Sequence, residues 1–204
     1  MTHWRMSART AIGIVLAGGL VTALLWQRTA GFSAFTYETW RRVDVAREPA
    51  PVSDWRLQNA QGDLVRLSHW NDETLLVGFI YTSCPSVCVA LGSRYQQLQR
   101  TLQADPSSDV HLLSISIDPD RDTPQQLAEY RRRHAGRQSS WTVARPADEQ
   151  VLDDMIRETG LRVIPDQLGG FSHSDSLHWI RNGELLRISD WRDPELEKMI
   201  TDGS

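Results

Sequence analysis

An α/β fold with a parallel strand pair, carried behind an N-terminal membrane helix, is predicted by three features of the sequence. Ala11 to Trp26, AIGIVLAGGLVTALLW, is an apolar run without a charge. Two further apolar runs, TLLVGFIY and DVHLLSISID, have strand length and enclose a stretch with helical spacing, VALGSRYQQLQRTLQ, which together make a βαβ unit. Both cysteines of the chain, Cys84 and Cys88 in YTSCPSVC, fall where the first of these strands meets its helix.

In chain order, the N-terminal run is bounded by Arg9 and Arg28. With Ala8, Thr10 and Gln27 it approaches the ~20 residues that span a bilayer, and Trp4 and Trp26 suit the two interfaces. Neither an A-x-A site nor a lipobox cysteine follows it, which favours an uncleaved anchor over a cleaved signal peptide. Arg5 and Arg9 before the helix and Arg28, Arg41 and Arg42 after it leave orientation undecided by charge. Only about ten residues precede the run, too few for an Arg-rich transit peptide, so a bacterial inner membrane is expected. The predicted organisation is a cytoplasmic N-terminus at 1–9, a transmembrane anchor at 10–27, a linker at 28–51 and a folded domain at 52–204. The linker closes on REPAP, which prolines keep extended.

The folded domain opens on VSDWRLQNAQGDLVRLSHW, a hairpin around Asn59 to Gly62. TLLVGFIY is apolar throughout, as in a strand buried on both faces. TPQQLAEYRRRHAG carries a full set of helix signals: Thr123 at the N-cap, Pro124 first in the helix, Gln126 closing a capping box and Gly136 past the end. A short strand near Trp141 to Val143 precedes a helix in ADEQVLDDMIRETG that ends at Gly160. LHWIRNGELLRIS is a hairpin whose Asn182-Gly183 turn suits type I′, and DPELEKMITDG forms a closing helix. A βαβ unit, another helix and a terminal hairpin with its closing helix are what a thioredoxin-like sheet requires, a central mixed sheet with flanking helices.

The 204 residues suit one domain of ordinary size plus an appendage. A formal net charge of −4, with arginines scattered rather than massed, argues against a nucleic-acid partner. Arg131, Arg132 and Arg133 fit a solvated helix end.

At a helix entrance, Cys84 and Cys88 stand at i and i+4, on one face and near the positive end of the helix dipole, where thiolates are favoured. Their spacing leaves three readings open: a structural disulfide, a redox pair, or two ligands of a metal. A third ligand would favour metal, and the candidates are His69, His111, His134, His173 and His178. His173 lies in GGFSHSDS, a glycine-rich loop leading into the terminal hairpin, which in such a sheet approaches the start of the cysteine helix. His178, five residues later, faces the other side of an extended segment and is expected to be structural. Two thiolates and one imidazole suit copper, as Cu(I) or Cu(II), better than structural zinc, which closes with four protein ligands.

Taken in order, YTSCPSVC, SISIDPDRDTPQQLAEY and SHSDSLHWI resemble the three signature blocks of the Sco (SenC) copper-delivery proteins, over a span from Pro51 to the final helix. The resemblance implies a membrane-anchored, periplasm-facing protein that binds copper through Cys84, Cys88 and His173. It further implies a role in assembling the CuA centre of cytochrome c oxidase, with the oxidase subunit carrying CuA as partner. Two positions depart from the family pattern: Val89 stands where proline is usual, and Ser172 where aspartate is usual, which removes an anion beside the histidine. Because a Cys84–Cys88 disulfide would consume both thiolates, loading requires prior reduction, and a periplasmic thiol reductant is expected as a further partner. The alternative is a thiol-disulfide oxidoreductase or redox sensor that uses Cys84 and Cys88 without obligatory copper and has no need of His173.

Asp118, Asp120, Asp122 and Glu129 stand at positions one, three, five and twelve of an EF-hand loop. Thr123 occupies the glycine position and Pro124 starts a helix inside the would-be loop, so calcium is not expected. A turn and N-cap that organise the loop beside the site are expected instead. Thr82 and Ser83 precede Cys84 without the proline of a peroxiredoxin-like pocket, which argues against peroxidase chemistry.

Overall fold

The structure, a computed structural model, describes residues 7–29, 31, 36–84, 87–105, 107–134, 140–166 and 170–201. The chain divides into two compact units, Met1–Asp44 and Val45–Ser204. In the first, α1 (Ala8–Arg28) is a 21-residue helix with no buried residue. The Ser7 hydroxyl caps it by accepting the Thr10 N–H at 3.2 Å. Its length and apolar composition are sufficient to cross a membrane.

The stretch expected to be a linker contains a second helix, α2 (Tyr37–Arg47). Thr36 Oγ1 accepts the Thr39 N–H at 3.1 Å at its start. Pro49 and Pro51 exclude helix only in their own neighbourhood, and none stands between 37 and 47. The REPAP end is extended, as expected, and Ala50–Pro51 enters the main sheet as β1.

The second unit continues with β2 (Arg56–Asn59), β3 (Leu64–Arg66), a 3-10 turn (Leu67–Trp70), β4 (Thr74–Ile80), α3 (Val87–Ala104), β5 (Val110–Ser116), α4 (Pro124–His134), β6 (Trp141–Pro146), α5 (Glu149–Thr159), β7 (Val163–Pro165), β8 (Phe171–His173), β9 (Ser176–Arg181), β10 (Glu184–Asp190) and α6 (Leu196–Thr201). One mixed sheet runs in the order β1-β10-β9-β4-β5-β6-β2-β3. Within it β4 with β5 and β5 with β6 are parallel, and the other pairs are antiparallel. A separate ribbon pairs β7 with β8.

All seven residues of β4 are buried, as its unbroken apolar sequence requires at the centre of a sheet covered on both faces. A Cβ at Gly78 would stand 2.8 Å from the Tyr95 hydroxyl oxygen. Glycine there admits Tyr95 of α3, whose hydroxyl donates to the Leu76 carbonyl at 2.9 Å and so fixes α3 on β4. Trp55, Trp141 and Trp179 are the largest fully buried side chains. Each indole N–H is satisfied, by Glu158 at 2.8 Å, Ser114 Oγ at 3.0 Å and Ser189 Oγ at 2.9 Å, so these rings contribute their apolar burial without an orphaned donor.

The predicted caps at Thr123 and Gly160 are present. Thr123 N–H donates to Gln126 Oε1 at 2.8 Å and Gln126 N–H to Thr123 Oγ1 at 3.4 Å, a capping box at the start of α4. Gly136, expected past its end, lies outside the described residues. Gly160 closes α5 in the left-handed region at φ 69°. Asn182 and Gly183, at φ 51° and 75°, join β9 to β10 in the two-residue turn expected from the Asn-Gly pair. β6 runs on to Pro146, three residues beyond the short strand expected there.

Candidate metal centre

Tyr81 follows the last residue of β4, and the Cys84 N–H donates to its carbonyl at 3.2 Å, closing a four-residue turn. Cys84 is therefore in a turn, and α3 is described from Val87. The expectation that the two sulfurs share one face at the helix entrance falls on residues 85 and 86 and on the Cys88 side chain, which lie outside the described residues. Cys84 is buried, at 8% exposure. Cys88 is the second residue of α3, where the positive end of the helix dipole favours a thiolate; its side chain lies outside the described residues.

The cysteine turn is fastened from the far side by Asp122, at 1% exposure. Its carboxylate accepts the Thr82 N–H at 2.9 Å, the Thr82 hydroxyl at 2.6 Å and the Ser116 hydroxyl at 2.6 Å. The Asp122 N–H donates to the Asp118 carbonyl at 2.9 Å. Asp118 also carries a side-chain contact to Arg121 Nε at 2.5 Å, and burial raises its carboxyl above the ordinary range against the opposing pull of Arg121. The block of acids is thus a turn leading into a capped helix, as expected, and its central carboxylate is occupied by hydroxyl and amide donors.

His173 ends β8, so Phe171 to His173 form a strand where the sequence suggests a loop. Its Nδ1 lies 2.8 Å from the Ser174 carbonyl oxygen. A carbonyl only accepts, so Nδ1 carries the proton and Nε2 keeps its lone pair in the neutral ring. Burial lowers the pKa of His173 from its ordinary value, opposed by the hydrogen bond to Ser174 and by the charge of Asp175. The imidazole is therefore neutral near pH 7, the form that ligates metal. Asp175 is itself held by the Trp191 Nε1–H at 2.8 Å and by Arg192 at 2.9 Å. It supplies an anion near His173, where exposed Ser172 supplies none.

Tyr81 links the two parts of the site. Its hydroxyl donates to the Phe171 carbonyl at 3.1 Å, and its ring stands edge-on to Phe171 at 5.6 Å and to His173 at 6.0 Å between centroids. Arg121 covers the Phe171 ring at 5.4 Å. The turn that carries Cys84 and the strand that carries His173 therefore meet at one aromatic residue. Neither Tyr81 nor Asp175 stands out in the sequence, because each acts across a contact that no local spacing encodes.

The other described histidines pack against aromatic rings. His178 is buried in β9 and lies edge-on to Phe79 at 5.2 Å. His69 and His111 flank Trp70 at 5.1 and 5.3 Å, and His134 packs on Tyr130 at 4.8 Å. Among the described residues, which leave out the Cys88 side chain, no three His, Cys, Asp or Glu side chains are grouped to hold a metal ion. Chemically, the Cys84 thiol and the His173 Nε2 lone pair are a soft and a borderline donor, and with a second thiolate they fit copper.

The sequence model of the SCO1/SenC family matches residues 44–154. The chain belongs to the SCO1/SenC family. The match takes in Cys84 and Cys88 and stops before His173. The SCO1 protein homolog of Bacillus subtilis is 31% identical to this Sco chain over 139 residues, covering 67% of this chain and 72% of that one. Copper-bound ScoI of Arabidopsis thaliana matches with a TM-score of 0.64 at 19% identity, over 76% of this chain and 95% of that one. BsSco, a member of the Sco family of cytochrome c oxidase assembly proteins in which a disulfide switch has been identified, matches with a TM-score of 0.65 at 22% identity, over 76% and 92%. The fold is thus the thioredoxin-like one expected from the order of elements.

Proposed function

We propose that this Sco protein binds copper through Cys84, Cys88 and His173, and delivers it to, or prepares the thiols of, the CuA centre of cytochrome c oxidase. The observation that carries this reading is the tautomer of His173: with Nδ1 committed to the Ser174 carbonyl, Nε2 is available to a metal, on a strand tied by Tyr81 to the cysteine turn. Support also comes from the relatives, one a copper-bound ScoI and one an oxidase-assembly protein with a disulfide switch. The two thiolates suit either oxidation state of copper, and the imidazole favours Cu(II).

The same pair of sulfurs serves a thiol step. When the Cys84–Cys88 dithiol reduces a disulfide in the acceptor, two electrons and two protons pass to the acceptor and a Cys84–Cys88 disulfide remains. A periplasmic thiol reductant then restores the dithiol. The apolar helix α1 anchors the protein in a bacterial inner membrane with the folded unit, Val45–Ser204, in the periplasm.

Anaerobic copper titration of the reduced full-length protein in detergent tests the proposal. One copper per chain, with thiolate-to-Cu(II) absorption, is the expected result. A reduced protein that takes up no copper yet exchanges disulfides would favour a thiol-disulfide oxidoreductase.

A further inference from the structure

We infer that Asp122 is a positioning residue for the copper ligands, a buried carboxylate that sets the turn from which Cys84 is presented; this rests on the copper reading above. Three observations converge on it. Asp122 is 40 residues from Thr82, yet takes both the backbone N–H and the hydroxyl of that residue, two positions before Cys84. It also takes the hydroxyl of Ser116, the last residue of β5, which is in register with Ile80 at the end of β4. Its own place is set by the Asp118 carbonyl and by the capped start of α4. The cysteine turn is thereby fixed to β5 and to the start of α4, independently of the helix that carries Cys88.

This separation matters for a chelate, because Cys84 stands in the turn and Cys88 in α3. Cys88 is placed by α3, which Tyr95 holds against Gly78 and Leu76. Cys84 is placed by the turn that its own N–H closes on the Tyr81 carbonyl. With Asp122 removed, Thr82 loses two hydrogen bonds at once and the turn is free to vary relative to α3. Outer partners that orient a ligand are worth about 10- to 100-fold in metal affinity when removed.

The clamp distinguishes shape from charge. Among the described residues, one carboxylate oxygen receives the Thr82 N–H and the Ser116 hydroxyl, and the other receives the Thr82 hydroxyl. An asparagine can reproduce this with its oxygen in the first place. Its amide then donates to the Thr82 hydroxyl oxygen, which turns from donor to acceptor. Asp122→Asn keeps the tie without the charge, and Asp122→Ala removes both.

The test uses the reduced full-length protein in detergent, as wild type, Asp122→Asn, Asp122→Ala and Ser114→Ala, the last removing the remote partner of Trp141 as a control for lost stability. Copper affinity is read by competition titration, with the Cu(II)–thiolate spectrum. Disulfide exchange with dithiothreitol is read without metal: the reagent is oxidised to its cyclic disulfide as a Cys84–Cys88 disulfide becomes two thiols. Asp122→Ala is expected to weaken Cu(II) binding about tenfold or more, to shift the spectrum and to move the exchange constant. Asp122→Asn and Ser114→Ala are expected to leave all three near wild type. Asp122→Ala with wild-type affinity, spectrum and exchange constant overturns the inference, as does a Ser114→Ala protein that changes them equally. If Asp122→Ala does not fold, Thr82→Val, which deletes only the hydroxyl, replaces it with the same outcomes. Should wild type take up no copper, the copper reading fails and the exchange constants alone decide the role of Asp122.

Discussion

The Tyr81 hydroxyl donates to the Phe171 carbonyl at 3.1 Å across 90 positions of sequence. The residue after the central strand is in this way tied to the short ribbon that ends in His173. Tyr81→Phe keeps the ring and deletes the bond. It should cost about 1 kcal/mol of stability, the usual net worth of one hydrogen bond, and should weaken Cu(II) binding while sparing Cu(I), because the imidazole counts most for Cu(II). Denaturant midpoints and competition titrations of both oxidation states measure this. Equal Cu(II) affinity in the two proteins would show that the tie does not set His173.

Replacing the proposed ligands one at a time separates their roles. Cys84→Ser or Cys88→Ser should abolish copper binding. His173→Ala should leave a weaker dithiolate site that holds Cu(I) and loses Cu(II) selectively. Unchanged Cu(II) absorption in His173→Ala would move the third ligand elsewhere, although His69, His111, His134 and His178 pack against aromatic rings in ways that fit a structural place.

Disulfide formation between Cys84 and Cys88 should block loading, since it consumes both thiolates. Structural disulfides have potentials below about −300 mV, and a gate should lie above that value. Copper uptake measured at a series of glutathione poises should switch on with reduction. Uptake by the oxidised protein equal to that of the reduced one would remove the gate.

A separate dependence on acidity is expected at the opposite end of β5. His111 stacks on Trp70 and places Nε2 2.9 Å from Thr142 Oγ1. Burial, with a smaller effect of the nearby His69 charge, lowers its pKa to about 4. Glu73, 3.6 Å from Nδ1, favours the protonated ring but does not offset the burial. The unfolded chain takes up this proton near pH 6.5, so between there and the folded value the unfolded state binds more protons and stability falls as pH drops. The full effect is roughly 3 kcal/mol. Urea unfolding at neutral pH and near pH 4.5 should show the loss in wild type and a smaller one in His111→Phe. The same loss in both would assign it to other groups.

The anchor proposed at α1 predicts a protein that resists carbonate extraction and whose folded domain is open to protease from the periplasmic side. Release into the soluble fraction would show that the helix is removed.

Much of this architecture is legible because its signals are local. The unbroken apolar run of β4, the Thr123 and Gln126 capping box, Gly160 and the Asn182-Gly183 turn each specify an element within a few residues. The three signature blocks likewise place Cys84, Cys88 and His173 in the chain. The rest depends on contacts between distant residues. Asp122 meets Thr82 and Tyr81 meets Phe171 across 40 and 90 positions, and no periodicity encodes either pairing. α2 was hidden for another reason: YETWRRVDVAR has one buried residue, Val45, so it lacks an apolar stripe. Thr36 as its N-cap and Glu38 in its first turn were the available signs.

The position of β1 bears on how the soluble part should be handled in the laboratory. Ala50 pairs with Leu185 and Pro51 with Glu184, and the Val52 N–H donates to the Gly183 carbonyl at 2.9 Å. Val45, five residues earlier, is fully buried in the same unit. A truncation at Pro51, which the proline-rich sequence invites, deletes Val45 and half of β1 and bares the side of β10. An uncovered strand edge is a template for intermolecular pairing. Such a protein should aggregate on concentration, whereas one that starts before Val45 should stay monodisperse in light scattering, and copper titrations on the shorter version would report the behaviour of a damaged sheet.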